Sequence, residues 1–401
     1  MQTSYHQTVE KSIAGLFTIG EIKDNIEYMK KTLIITLEYP PQIGGIASYI
    51  YNLAAHLPVE QVVICAPKIK GDTEFDQKNP WKTYRVRPLF LLFWPRWFRL
   101  LWHAWRICKK EKIEQVYIHH ALPVGYIGLF LLKIMKLPYT IFIHGSDLFW
   151  ARKNWWKKRQ FRRVCGRAQT IVVNSEYMRH EIGNTVENLS DVRVVYPCAA
   201  DVFLQPVDHT KVEQVRAQFS LSGKRVMITA SRLVDRKGHA ILASVFAEIL
   251  KRVPNAVWLI IGDGPEKNNV IKILQKNNLT GVVRFLPAVP LLELPVYFAA
   301  ADLFVLLTHT DRDGVNEAWG QAFLEAAAMY LPTVAGACGG AGEAVENGVT
   351  GMVIEATNTT AVISTISDLL RNIDYARGLG KAGHERVERE FTWEKQIKKL
   401  Q

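Results

Sequence analysis

One rhythm constrains this chain more than any other feature: short unbroken apolar runs alternate with a turn and a stretch of helical spacing. In the first half, segments 33–37, 61–66, 116–119, 140–144, 171–174 and 192–196 read as buried strands, with helical runs at 46–57 and 124–135. The second half repeats the pattern, with strand-like runs at 226–230, 256–261, 282–286, 303–307 and 333–337 and helical runs at 239–252, 294–301 and 359–372. Strands that are apolar on both faces and alternate with helices predict a parallel sheet covered on both sides. Two such sets in succession predict two doubly wound, Rossmann-like α/β domains. The expected divisions are a loose extension over 1–28, a first domain over 29–203, a second over 204–383 and an amphipathic C-terminal helix over 384–401. Residues 1–28 carry no period or motif, and Met29-Lys30-Lys31 before the first apolar run reads as the natural start.

Charge and cysteine usage narrow the function. The first 200 residues hold 28 Lys/Arg against 16 Asp/Glu, and the remainder holds 22 of each, so the whole net charge of +12 sits in the first half. An asymmetry of that kind points to an anionic partner on the first domain. Cys65, Cys108, Cys165, Cys198 and Cys338 are scattered and form no CxxC, which fits a reducing compartment and argues against a disulfide frame or a thiolate metal site. No stretch of 18 uninterrupted apolar residues occurs, so no spanning helix is expected, and the mostly polar residues 1–28 predict no signal peptide.

Two segments break the alternation. In 85–110, Trp94, Trp97, Trp102 and Trp105 interleave with Arg96, Arg99 and Arg106. In 151–168 there are eight Lys/Arg, no acid, and Trp155, Trp156 and Phe161. Basic, aromatic, amphipathic stretches suit an anionic membrane surface. They also suit a solvated helix face over buried tryptophans. Nucleic acid is not the expected partner, because no reading motif accompanies them.

The densest chemistry lies at 308–342. A polar loop ends near Gly314, a helix is expected over 319–330 up to Pro332, and Gly339, Gly340 and Gly342 form a turn after the next strand. Glu317 precedes the helix and Glu325 lies inside it. A loop entering a helix N-terminus offers free N–H groups to a phosphate, and a carboxylate beside it accepts from paired sugar hydroxyls. A glutamate at a helix start also complements the dipole without any ligand, and this segment alone leaves both readings open. Elsewhere, Gly44-Gly45 sit between a strand and a helix, where backbone can approach phosphates, and His144-Gly145 sit at a strand end, where open α/β sheets place ligand groups. Arg232 and Lys237 after a strand suit a diphosphate, Arg by bidentate contact and Lys as a point charge. Asp311-Arg312-Asp313 mimics a metal-binding Asp-x-Asp but follows a late strand, so it reads as a loop and no metal is expected.

Together, PPQIGG (40–45), HGSD (144–147), SRLVDRKG (231–238), GDGPE (262–266), the Glu317/Glu325 pair and Gly339-Gly340 with Glu343 resemble the family 4 retaining glycosyltransferases of the GT-B fold, over Met29 to the C-terminus. The resemblance implies that Gly44 and Gly45 approach a donor diphosphate that Arg232 and Lys237 neutralise. It implies that Glu325 holds ribose hydroxyls, that Glu317 contacts the transferred sugar, and that His144 lies near the reacting sugar from the opposite domain. Asp263 in GDGPE would border the base, Ala318, Trp319 and Gly320 would meet the donor, and the C-terminal helix would cross back onto the first domain. Ala318-Trp319 stands where the family has Gly-Phe, and 196–201 departs from the family's Pro-Asn-Gly-Val-Asp hinge. The segment 317–353 is most similar to mannosyltransferases acting on membrane lipids. The implied enzyme is a hexosyltransferase using GDP-mannose, with no cofactor and a lipid or lipid-linked glycan acceptor; the alternatives are the same chemistry with a UDP-hexose donor and a soluble acceptor, or a non-catalytic membrane protein that binds a sugar nucleotide. Its expected place is the cytoplasmic face of a membrane.

Overall fold

In the computed structural model, residues 29–87, 95, 97–187, 189 and 191–400 are described; the expected extension over 1–28, together with Trp94 and Arg96, lies outside them. The first sheet contains β1 (Thr32–Ile35), β2 (Val62–Pro67), β3 (Lys82–Val86), β4 (Gln115–His119), β5 (Tyr139–Ile143), β6 (Thr170–Val173) and β7 (Val192–Val194). Its order is β3-β2-β1-β4-β5-β6-β7, every pairing parallel. The second contains β8 (Arg225–Ala230), β9 (Ala256–Ile261), β10 (Val283–Leu286), β11 (Leu303–Leu306), β12 (Thr333–Gly336) and β13 (Met352–Ile354), in the order β10-β9-β8-β11-β12-β13. These pairings are parallel too. Each sheet has helices on its flanks, so the architecture is GT-B: two Rossmann-like domains facing a cleft. Val62–Pro67 and Ala256–Ile261 are buried at every residue, which is why their sequences show no polar alternation.

Each sheet reverses its order beside its first strand, between β1 and β4 and between β8 and β11. Ligands bind outside the carboxyl ends of strands at such a switch point. That rule sets the segments following β1, β4, β5, β8 and β11 against one cleft.

Two sequence expectations are corrected. The basic, aromatic segments do not interrupt the rhythm but supply its helices, Phe98–Glu111 between β3 and β4, and Trp155–Cys165 between β5 and β6. Each buries an apolar stripe, including Leu100, Leu101, Ala104 and Ile107 in the first and Phe161 and Val164 in the second. The helix expected over 319–330 runs only from Gln321 to Ala328, because Gly320 takes φ +91° before it and Tyr330 takes φ +59° after it. Strand β3 was not legible at all: it is an edge strand, Lys82–Val86, in which only Val86 is fully buried.

The C-terminal pattern consists of two helices, Ile373–Glu390 and Trp393–Ile397. Trp393 is buried against the first half, its ring 5.4 Å from that of Tyr49 and stacked 6.0 Å from that of His56. His56 Nε2 also stands 3.3 Å from Asp201 and 3.8 Å from Glu394. Burial opposes protonation of this histidine, but the two carboxylates and the Asn52 carbonyl prevail and hold its pKa above the ordinary value. A raised histidine pKa stabilises fully below the unfolded value, near ~6.5, and the contribution fades as pH rises through the folded one. Melting temperature should therefore fall from pH 6 toward pH 8 more in the native chain than in His56→Gln; parallel pH profiles would refute the assignment.

Candidate functional site

Three segments of the second half meet at the C-terminal ends of β8, β9 and β11. After β8, Arg232 is exposed and its guanidinium has no ion-pair or hydrogen-bond partner among the described residues. Lys237 ends a short 3-10 turn, Asp235–Lys237, and Gly238 follows at φ +72° with its α-carbon packed on the Leu307 carbonyl. Only glycine allows that approach, which brings Lys237 beside the loop after β11. Lys237 Nζ lies 2.6 Å from Glu317 Oε2, a contact of charges rather than a directed hydrogen bond, and Arg236 Nε lies 4.0 Å from the same oxygen. Glu325, one face of the following helix, is buried and makes no hydrogen bond among the described residues. Burial pushes its carboxyl up to about 7, against the opposing pull of Lys237.

The loop carrying Glu317 is held by close backbone packing. A β-carbon at Gly339, which has φ +58°, would collide with the Glu317 carbonyl oxygen, and Gly340 N–H donates to that oxygen at 3.0 Å. The N–H groups of Trp319, Gly320, Gln321 and Ala322 donate to no described protein group. They stand at the positive end of the helix dipole, so the entry to Gln321–Ala328 is suited to an anion. The helix Gly45–Ala55 approaches the same place, with Ser48 Oγ 3.5 Å from Gln321 Nε2. Gly44 and Gly45 lie at its start; nothing stands within 4 Å of where a β-carbon of Gly45 would be.

From the first sheet, His144 follows β5. Its Nε2 lies 3.0 Å from Nδ1 of His119 at the end of β4, and Tyr49 meets the ring edge-on at 5.4 Å. Burial and the neighbouring His120 lower its pKa to about 3, so the imidazole is neutral. At Gly145, φ is +103° and a β-carbon would stand 2.7 Å from that of Ala318, which places the first half against the second. Further links are Ser175 Oγ donating to the Ala318 carbonyl at 2.7 Å and Asn316 Nδ2 donating to Tyr177 Oη at 2.7 Å. Glu343 accepts from the N–H groups of Glu176 and Tyr177 at 2.7 and 2.6 Å, at the N-terminus of the first-half helix Glu176–Gly183.

Some expected site residues are placed otherwise. The Trp319 side chain turns from the cleft: it is buried, its Nε1–H donates to the Pro197 carbonyl at 2.9 Å, and its ring lies 4.5 Å from Tyr196 and 5.4 Å from Phe391. Only its backbone remains at the helix entry. Asp263 is exposed and engaged locally, by Gly264 N–H at 2.8 Å and Lys267 Nζ at 3.3 Å. Its loop nonetheless packs on the Arg232 loop, since Leu233 N–H donates to the Asp263 carbonyl at 3.0 Å. The Asp311 carboxylate caps its own turn through the N–H groups of Asp313 and Val315, while Asp313 pairs with Lys153 at 2.9 Å. Sequence reasoning missed His119, His120, Asn316 and Tyr177; the His119-His120 doublet closing an apolar run was the available signal.

Buried polar atoms without a partner are uncommon and call for an explanation. Of nine such atoms without a hydrogen bond among the described residues, five lie on segments that end or follow strands β4, β6 and β11: His119 Nε2, His120 Nε2, Asn174 Oδ1, Asn316 Oδ1 and the ion-paired Glu317 Oε2. A buried acid raised to about 7 costs stability once ionised. Stability should fall between the unfolded value, near ~4.5, and pH 7. Glu325→Gln should then be more stable than the native chain at pH 8, by on the order of 2–3 kcal/mol, and nearly equal to it at pH 4.5, measured by denaturant midpoints.

The chain matches two family models, Glycosyltransferase Family 4 over residues 43–199 and Glycosyl transferases group 1 over residues 211–386. It is 28% identical over 364 residues to a GDP-mannose-dependent alpha-(1-6)-phosphatidylinositol monomannoside mannosyltransferase of Mycolicibacterium smegmatis, covering 90% of this chain and 94% of that one. A Corynebacterium glutamicum mannosyltransferase acting on the monoacylated phosphatidylinositol monomannoside is 26% identical over 381 residues, covering 91% and 95%. Among solved structures, Anabaena HepE in complex with UDP-glucose superposes with a TM-score of 0.79 at 18% identity, over 93% of this chain and 99% of that one.

Proposed function

Starting from a chain that belongs to the family 4 glycosyltransferases of the GT-B fold, we propose that it transfers a mannosyl group from GDP-mannose to a hydroxyl of a membrane lipid or lipid-linked glycan, with retention of anomeric configuration. The observation that carries this reading is the charge cluster around Lys237: one ammonium between Glu317 and the partnerless Glu325, beside four free N–H groups and the unpaired Arg232. The cations and the helix entry suit a diphosphate, and the two carboxylates suit hydroxyls on either side of it. In that arrangement Glu325 accepts from the ribose, and Glu317 accepts from the transferred sugar.

The step breaks the bond from the sugar's C1 to the diphosphate and forms one from C1 to the acceptor oxygen on the same face. The acceptor proton passes to the departing phosphate oxygen. Charge that grows on the diphosphate is met by Arg232, Lys237 and the 319–322 N–H groups, placed in advance of the reaction. Asp147, which follows β5, is already engaged: it accepts from Ala121 N–H at 3.0 Å and lies beside His120. The donor preference rests on the two mannosyltransferase relatives, and UDP-glucose in HepE supports the alternative of a UDP-hexose. Purified protein incubated with GDP-mannose, UDP-glucose, UDP-galactose and UDP-GlcNAc should release nucleotide from GDP-mannose, and Glu325→Ala should lower that rate at least about tenfold, roughly the worth of one charged hydrogen bond. Release from a UDP-sugar alone would replace the donor assignment; binding of none by calorimetry would remove the pocket.

The acceptor's place is supported by the surface of the first half. No described helix is long and apolar enough to cross a membrane. Trp155 is 74% exposed, and Trp102, Trp150, Trp156 and Phe98 are exposed as well. Of the cations in 151–168, Arg152 is held by Glu181 and Lys153 by Asp313, whereas Lys157, Arg159, Arg163 and Arg167 are exposed and form no ion pair among the described residues. Near an anionic surface each contributes about 1 kcal/mol. Replacing these four by Gln should weaken binding to phosphatidylserine vesicles by two orders of magnitude or more, roughly as four such charges require, while donor affinity stays unchanged. Vesicle binding insensitive to the four changes would place the membrane contact elsewhere.

A further inference from the structure

We propose that His119 is a positioning residue: it donates its Nδ1–H to His144 Nε2 and so keeps the proton of His144 on Nδ1, leaving His144 a hydrogen-bond donor toward the cleft. The contact is short and in plane. The two nitrogens are 3.0 Å apart, the ring planes lie within 15° of one another, and the 5.2 Å between ring centres leaves the nitrogens close to the line joining them, so the bond runs along a ring lone pair. Its register is fixed by the sheet, because β4 pairs with β5 so that His119 stands opposite Phe142, two residues before His144. The His119 ring stacks on Phe142 at 4.3 Å and has no solvent-exposed surface.

Both rings are neutral, so one nitrogen of the pair must carry the proton and the other must accept it. Burial, with the imidazoles of His144 and His120 close by, keeps the His119 pKa well down. Nε2 of His119 is buried and meets no partner. Were the proton there, an N–H would be sealed without an acceptor, which folded proteins avoid more strictly than an idle lone pair. Placing it on Nδ1 leaves only a lone pair unused and directs the N–H at His144 Nε2. His144 must then hold its own proton on Nδ1. That nitrogen makes no hydrogen bond among the described residues, His144 remains partly exposed, and the adjoining Gly145 packs on Ala318 of the second half. His144 so fixed donates to an oxygen of the bound sugar and cannot take a proton from the acceptor. This inference rests on the reading that His144 faces the reacting sugar.

The test uses the full chain labelled with 15N-histidine, with His144 assigned by difference against His144→Gln. Nuclear magnetic resonance should show His144 protonated at Nδ1 in the native chain. In His119→Ala that tautomer should be lost or mixed, with kcat down about tenfold and donor KM within about twofold, an effect on the reacting state rather than on binding. His119→Asn, whose amide N–H can replace the Nδ1 donor, should restore both the tautomer and the rate. A native proton on Nε2, or a His144 spectrum unchanged in His119→Ala, overturns the proposal. If His119→Ala does not fold, the native spectrum and His119→Asn still decide it, since loss of the tautomer in the Asn variant also counts against it. Full turnover by His144→Ala, together with the Nδ1 tautomer observed in the native chain, would instead overturn the placement of the sugar and leave the hydrogen bond standing.

Discussion

One ammonium governs the electrostatics of the cleft. Lys237 touches Glu317 and opposes the rise that burial imposes on the Glu325 carboxyl. Buried Glu325 and the partly buried Glu317 and Lys237 bring two carboxyl groups to one ammonium. They are an arrangement that gains when a dianionic ligand bearing hydroxyl donors enters: the diphosphate competes for Lys237, and the hydroxyls satisfy the carboxylates. The helix entry at Gly320 and the glycine turn at 339–340 hold that arrangement in register, through backbone rather than side chains.

The same economy runs through the rest of the cleft. Its walls are strand ends and helix starts, where backbone groups are already unpaired, and the side chains added there are short and neutral: Ser48, Asn174, Ser175, Asn316. Histidines kept uncharged by burial occupy the end of β4 and the residue after β5. A neutral imidazole can orient a hydroxyl or phosphate oxygen without adding a cation that would trap the product. Charge is reserved for the second half, and the first half contributes shape and direction.

How much of this was legible follows from what each residue's signal depends on. Arg232, Lys237, Glu317 and Glu325 carry charge near breaks in apolar runs, and such residues stand out locally. The alternation of strands and helices is local too, and it gave both sheets except the edge strands Lys82–Val86 and Met352–Ile354, the first of mixed polar residues and the second only three residues long. Trp319 misled because its partners, Pro197 and Phe391, are far away in the sequence, on the hinge and the C-terminal helix. His119 and His120 were passed over for the same reason: nothing nearby in the sequence says that His144, some 25 residues on, completes them. The tryptophan-rich segments looked like intrusions because their charge hid an ordinary buried stripe.

The links between the two halves fall into two kinds. Trp393 is buried against Tyr49 and His56, whereas Glu343 and Asn316 reach across with exposed or partly buried hydrogen bonds and Ser175 with a buried one. Apolar burial has no substitute in water, but a carboxylate capping a helix exchanges its N–H partners for solvent at little net cost. Parting the halves on the Glu343 side would release contacts that water replaces, but it would also uncover Val315 and Ala318, which pack in the apolar core of the first half.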